Sequence, residues 1–169
     1  AYESYVNTLE VVEKCAEYLE ANYGKERAVF GGKKLESQSK NDRLEKAAAL
    51  SPVLRGLCSG SSAGQAGPTR MVGHFTDDDR VLEFINSNDL SKLAPMGTSC
   101  PDHFLRTKIS PLVIHDTSKE SLSTAFETYR ASYKAYYDKC KHPNSPAMRD
   151  PNPVVILYPG VGMFTYAKD

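Results

Sequence analysis

The sequence predicts an α/β fold of the α+β kind, in which a mixed sheet is flanked by helices. Two observations predict it. Short apolar runs bounded by turn residues, as in strands, occur at 70–75, 111–114 and 154–166. Segments with apolar residues at helical spacing lie between them, at 81–85 and 118–141. Strand, helix and strand in this order are typical of an α/β layer.

The first third of the chain is predicted to be helical. Apolar residues recur at helical spacing over residues 2–24, and the pair Gly31 and Gly32 breaks the chain after this helix. A second helix is predicted over Asn41 to Leu50. Because Pro52 suits a first helical turn, the chain after it either extends this helix or begins another.

Residues 59–69 form the best internal boundary. They are rich in glycine and serine, and few of their side chains could offset the entropy lost on ordering them. A flexible loop is therefore predicted there. It divides the chain into a helical part at 1–58 and an α/β part at 70–169.

The elements after this loop follow closely on one another. Thr76 to Asp79 are predicted to cap a short helix whose buried side is Val81, Leu82, Phe84 and Ile85. A turn at Pro159 and Gly160 joins two strands within 154–166. The helix at 118–141 carries a tyrosine-rich stripe that is either core or the face for a partner helix. The stripe consists of Leu122, Phe126, Tyr129, Tyr133, Tyr136 or Tyr137, and Cys140.

Composition excludes several classes of function. The 169 residues contain 21 basic and 21 acidic side chains, which argues against a nucleic-acid or anionic-lipid surface. No apolar run approaches the ~20 residues that cross a bilayer. The four cysteines and four histidines lack the short spacings that bring two ligands to one metal ion. We therefore expect a reduced, cytoplasmic protein without nucleic-acid, membrane or metal binding in this segment.

Reactive side chains are concentrated between Gly97 and Lys108. In one interpretation this run forms a polar pocket for a phosphate or hydroxyl groups. In the other, Asp102 and His103 cap a helix that presents Phe104 and Leu105 to the core and leaves the cations in solvent. The first interpretation gives the candidate ligand-binding residues Ser99, Asp102, His103, Arg106 and Lys108.

Two short motifs imitate a dinucleotide-dependent dehydrogenase. Gly60 to Gly64 has the spacing of a phosphate-binding turn, and Tyr137 precedes Lys141 at the Tyr-x-x-x-Lys spacing. The glycine turn follows a helical segment and precedes a strand, whereas a dinucleotide turn leaves a strand and opens a helix. A dehydrogenase site is therefore not predicted within this chain.

Several segments carry a family resemblance, namely 71–75, 81–87, 97–108, 111–113, 148–153 and 159–164. They resemble the central portion of bifunctional rhamnulose-1-phosphate aldolase/short-chain dehydrogenase proteins. In that family a class II, adducin-like aldolase region precedes a C-terminal short-chain dehydrogenase. The resemblance implies cleavage of a ketose 1-phosphate to dihydroxyacetone phosphate and lactaldehyde, followed by oxidation of the aldehyde with NAD.

The resemblance also implies how this chain is placed within its parent. Residues 1–58 correspond to the C-terminal helical part of the aldolase region. Residues 70–169 correspond to a central module before the dehydrogenase, which we expect to be a degenerate class II aldolase-like layer. The family's divalent metal and NAD sites then fall before residue 1 and after residue 169. No catalytic residue, metal or cofactor is assigned to this segment.

Two functions follow from these expectations. The segment is either part of an enzyme, with a pocket for a sugar phosphate, or a non-catalytic module without a ligand. In the second case its partners are the flanking aldolase and dehydrogenase regions or another copy of itself in a homo-oligomer.

Overall fold

A computed structural model describes residues 2–24, 28–59, 70–98 and 100–168. Over these ranges the chain forms a four-stranded mixed sheet with helices on both faces, which confirms the predicted fold class. In chain order the elements are α1 (Tyr2–Leu19), α2 (Lys40–Cys58), β1 (Val72–Thr76), α3 (Asp79–Ile85), α4 (Leu90–Leu93), α5 (Pro101–Thr107), β2 (Leu112–Val113), α6 (Lys119–Cys140), β3 (Val155–Tyr158) and β4 (Gly162–Ala167).

The sheet has the strand order β1-β4-β3-β2. The strand β4 is antiparallel to both of its neighbours, and β2 runs parallel to β3. The predicted hairpin is confirmed, because β3 and β4 are joined by a turn in which Gly160 has φ +80°. The strand predicted at 70–75 begins two residues later and ends one residue later, because β1 spans Val72–Thr76.

Two apolar clusters cover the two faces of the sheet. Side chains alternate along β3, so that Ile156 points to one cluster and Leu157 to the other. The larger cluster packs α2 and α6 on one face, through Leu54, Phe126, Phe164 and Tyr166 among others. The smaller cluster packs α3 and α4 on the opposite face.

Local sequence determines where several of these helices begin. The carboxylate of Asp78 accepts a hydrogen bond from the Val81 amide at 2.9 Å and caps α3, as predicted from the acidic run. The Ser118 hydroxyl caps α6 in the same way. Pro52 lies on the exposed side of α2 and does not interrupt it, so the second predicted helix extends to Cys58 and does not restart.

The first helix is as the periodicity predicts, but it stands apart from the core. It continues through a π-helical turn to Gly24, and none of its side chains is buried. Positive φ values at Phe30, Gly31 and Gly32 mark the predicted break. Residues 60–69, where a flexible loop is expected, lie outside the described residues. Within the described residues no helix is both long and apolar enough to cross a membrane.

Candidate functional site

A groove lies between α5, the C-terminal half of α6 and the segment 145–149. Its volume is about 280 Å³. Its walls are mainly aromatic and aliphatic, with three cations at the margins, as is usual for small-molecule sites. The apolar walls are formed by Phe104, Leu105, Ile109, Tyr133, Tyr136, Tyr137, Cys140, Pro146 and Ala147.

The residues of the Gly97–Lys108 run that the sequence analysis singled out fall into two groups, one facing the groove and one facing away from it. Phe104, Leu105 and Lys108 face the groove. Asp102, His103 and Arg106 are exposed and do not line it, because they project from the opposite side of the helix. Ser99 lies outside the described residues. Ligand binding by these five residues stays a prediction, and Lys108 is the one that the structure brings to the groove.

The alternative interpretation of this run also differs from what is observed. Cys100, and not Asp102 or His103, occupies the N-cap position of α5, and the Cys100 side chain makes no capping hydrogen bond. Phe104 and Leu105 are 36% and 54% exposed, so they belong to neither core cluster. The reason is that α5 lies at the edge of the molecule, with the groove beneath it. Lys108, expected in solvent, is partly buried instead.

Lys108 is the most unusual residue of the site. Its φ of +69° is rare for a residue with a side chain, and such strain costs on the order of 1–3 kcal/mol. Its ammonium lies 4.5 Å from the centroid of the Tyr133 ring and donates a hydrogen bond to the Asp150 carbonyl oxygen. Burial lowers the pKa of Lys108, the Asp150 carboxylate opposes this, and the Arg149 guanidinium lowers it further.

Arg149 and Lys141 supply the other two cations of the groove. Arg149 donates a hydrogen bond to the Leu105 carbonyl at 2.7 Å, which joins the 145–149 segment to α5. Lys141 pairs with Asp138 at 3.0 Å. Because Arg149 and Lys108 repel one another, an anion placed between them would be stabilised by both.

The Tyr133 hydroxyl of the groove is protonated at neutral pH. Burial raises the pKa of Tyr133, and nearby Arg149 lowers it in part. The Tyr137 hydroxyl donates to the Pro146 carbonyl at 2.7 Å and so fixes the 145–149 segment against α6. A protonated phenol both donates and accepts hydrogen bonds, as sugar hydroxyls require of a partner.

A hydrogen-bond network anchors the groove to the core. Asn152 is buried, and its amide oxygen accepts from Arg130 Nε at 2.7 Å. Arg130 also donates to the Leu57 carbonyl at 2.9 Å. The Asn152 backbone N–H donates to the Asp150 carboxylate at 2.7 Å. The residues that follow Arg149 are therefore held rigidly between α2 and α6.

The described residues do not fit the metal or the cofactor that the resemblance implies for the parent. Among the described residues, no three His, Cys, Asp or Glu side chains are grouped to hold a metal ion. The Tyr137 hydroxyl is engaged with Pro146, and Asp138 holds Lys141, whose pKa is raised by that contact. Tyr137 and Lys141, the residues at the Tyr-x-x-x-Lys spacing, are therefore engaged with other partners and are not arranged as in a dehydrogenase. Gly60 to Gly64 lie outside the described residues.

Sequence reasoning missed two features of this site. Arg149 lies 41 positions from Lys108, and no local pattern links them. The second feature is the groove-lining face in the C-terminal half of α6, and the tyrosine stripe indicated it. Its first three members, Leu122, Phe126 and Tyr129, are buried, whereas Tyr133 and its successors line the groove. Helical spacing that continues past the end of the core indicates a second surface.

Comparison with known proteins gives two findings. Residues 45–169 match the family described as aldolase class II, second domain. The chain is also 30% identical over 172 residues to an "Uncharacterized oxidoreductase YuxG" of Bacillus subtilis (strain 168). That similarity covers 97% of this chain and 24% of the relative, so the chain spans about a quarter of the relative's length. No solved structure matches the chain.

Proposed function

The chain belongs to the family of class II aldolase second domains, and on this premise we propose that it serves a carbohydrate-metabolising protein as a non-catalytic domain. In that protein, cleavage of a ketose 1-phosphate is coupled to NAD-dependent oxidation by a short-chain dehydrogenase. The observation that carries the proposal is the family match over residues 45–169. The name of the longer relative, an oxidoreductase, supports the second activity.

The role proposed for this domain is to hold a phosphorylated sugar in the groove between α5 and α6. Arg149 lies close enough to Lys108 to lower the pKa of its ammonium, and a phosphate would pair with both side chains. The Tyr133 and Tyr136 rings offer apolar surface beside hydroxyl groups. The rare φ of Lys108 supports a binding role, because strain of this kind concentrates at functional sites.

Calorimetric titration tests the groove directly. The purified chain is titrated with a ketose 1-phosphate, with dihydroxyacetone phosphate and with the unphosphorylated ketose. We expect heat from the phosphorylated compounds alone. Lys108→Met should weaken their binding by about tenfold or more, the loss usual for a charged hydrogen bond. Arg106→Met is the matched control, because it removes a cation from the exposed side of the same helix.

The outcomes separate the alternatives. Absence of binding would support a module without a ligand and overturn the groove assignment. A larger loss in Arg106→Met than in Lys108→Met would place the anion on the exposed side of α5, and equal losses would contradict a site specific to the groove. At the level of the whole protein, release of dihydroxyacetone phosphate and reduction of NAD are measured in the full-length protein that carries this domain. If neither reaction occurs with any ketose 1-phosphate, the proposed coupling is wrong.

A further inference from the structure

A crevice lies at the carboxyl ends of β2 and β3, which run parallel to each other in the sheet. Val113 ends β2, His115 lies two residues beyond it, and Pro159 directly follows β3. All three residues line the crevice, whose volume is about 530 Å³. In open α/β sheets, ligands bind outside the carboxyl ends of parallel strands. The topology therefore favours this end of the sheet as a binding position.

The crevice has an apolar floor and a polar rim. The floor is formed by buried side chains of α3, of α4 and of the residue after α4, namely Ile85, Leu90 and Ala94. The rim carries the exposed side chains of Lys34, Ser91 and His115. Apolar walls with a few polar groups are typical of small-molecule sites, and the volume lies within their usual range of about 300–1,000 Å³.

A buried residue, Asn86, fixes two walls of the crevice. It is 2% exposed, and its backbone carbonyl accepts hydrogen bonds from the Lys34 and Leu35 amides at 2.7 and 3.0 Å. Its side-chain oxygen accepts a hydrogen bond from the Gly160 amide at 2.7 Å. The segment that carries Lys34 and the turn after β3 are thereby joined to the end of α3. A site that is formed in advance loses little conformational entropy when a ligand binds.

The polar side chains of the rim favour an anion. The Lys34 ammonium, the His115 imidazole and the Ser91 hydroxyl are all able to donate hydrogen bonds. Within the described residues, the side chains of Lys34 and His115 make no hydrogen bond or ion pair. No Asp or Glu of the described residues lines the crevice. A ligand with an anionic group beside an apolar body therefore matches the rim and the floor together.

We propose that this crevice binds a small organic anion, whose phosphate or carboxylate group pairs with Lys34 and whose apolar body lies on Ile85 and Leu90. The crevice shares no lining residue with the groove between α5 and α6. It is therefore a second site, and its existence does not depend on the function proposed for the groove.

NMR titration of the isotope-labelled chain tests the crevice, with phenyl phosphate, benzoate and neutral benzyl alcohol as probes. We expect at least one of the two anions to shift the signals of His115 and Ser91 in a saturable way and to bind about fivefold more tightly than benzyl alcohol. The anion that binds more tightly identifies the charged group, and either preference agrees with the proposal. Lys34→Met should weaken anion binding by about five- to tenfold, as for a charge-assisted hydrogen bond near the surface. Lys33→Met is the matched control, because Lys33 pairs with Glu36 and does not line the crevice.

Three results in the isolated chain would overturn the proposal: no saturable shift at His115, equal affinity for benzyl alcohol, or equal losses in Lys33→Met and Lys34→Met. Lys108→Met should leave the shifts at His115 unchanged, and their loss would also contradict a second site.

The titration is then repeated by calorimetry in the full-length protein that carries this domain. The favoured anion should bind there as well, and Lys34→Met should weaken its binding by the same factor. Binding to the chain alone would mean that another part of the full-length protein fills the crevice, and this result would overturn the proposal.

Discussion

Replacing Gly73 with alanine should destabilise the protein, whereas the same change at Gly56 should stabilise it. Gly73 lies on β1 directly opposite Tyr166 of β4. A methyl group at Gly73 would lie 2.6 Å from Cε1 and 3.1 Å from Cδ1 of the Tyr166 ring. Gly56 lies on the exposed side of α2, where a methyl group would meet nothing within 4 Å.

The expected magnitudes follow from these surroundings. Tyr166 is 2% exposed, and its hydroxyl donates to the Ser51 carbonyl at 2.9 Å. The ring therefore cannot retreat without disturbing the core, and overpacking of this kind costs about 1–3 kcal/mol. At Gly56, alanine removes the entropic penalty of glycine in a helix, worth about 0.5–1 kcal/mol. The two variants should differ in free energy of unfolding by about 1.5–4 kcal/mol.

Urea denaturation followed by circular dichroism measures both changes. With an m-value of about 2 kcal/mol/M, the midpoints of the variants should lie about 0.75–2 M apart, one on each side of the unaltered chain. Tyr166→Val removes every ring atom near Gly73, so the cost of the alanine should fall by at least about 0.5 kcal/mol in that background. The reasoning is refuted if Gly73→Ala is neutral, or if its cost is unchanged in the valine background.

Three further predictions concern single side chains. Hydrogen bonds from serine hydroxyls lower the pKa of Asp116 to about 2, so carbon NMR should find its midpoint there. The stability it contributes is complete above the unfolded pKa of about 3.9 and is lost as the pH falls toward 2; a midpoint near 4 would contradict this. Burial raises the pKa of Cys58 to about 12, so iodoacetamide should modify exposed Cys15 in the native protein and reach Cys58 only in denaturant. Asp78→Ala removes the cap on the Val81 amide and should cost about 1 kcal/mol in urea titration, whereas asparagine at this position should cost little.

The secondary structure was largely predictable because its signals are local. The hairpin around Gly160 and the cap at Asp78 are each determined by a few adjacent residues. The order of the strands was not predictable in the same way. Residues of β1 pair with residues of β4 roughly 90 positions later, and the sequence between them does not specify that contact.

In the candidate site, too, local features could be predicted from the sequence, whereas contacts between distant residues could not. Helical periodicity separates Phe104 and Leu105 from Asp102, His103 and Arg106, which lie on the other side of α5. Arg149 and Lys108 are far apart in sequence, and the hydrogen bonds of Arg130 to Asn152 and to the Leu57 carbonyl join α2, α6 and the segment after Arg149, which no local pattern specifies.

The strand order has a consequence for biosynthesis. β4 lies between β1 and β3, yet the ribosome makes it after both of them. Until residue 167 has been translated and has left the exit tunnel, the hydrogen-bonding groups of β1 have no strand to pair with. Within the described residues, the sheet is therefore completed only when β4 has been made. Nascent chains arrested before β4 should be degraded readily by added protease and should bind chaperones that recognise extended segments.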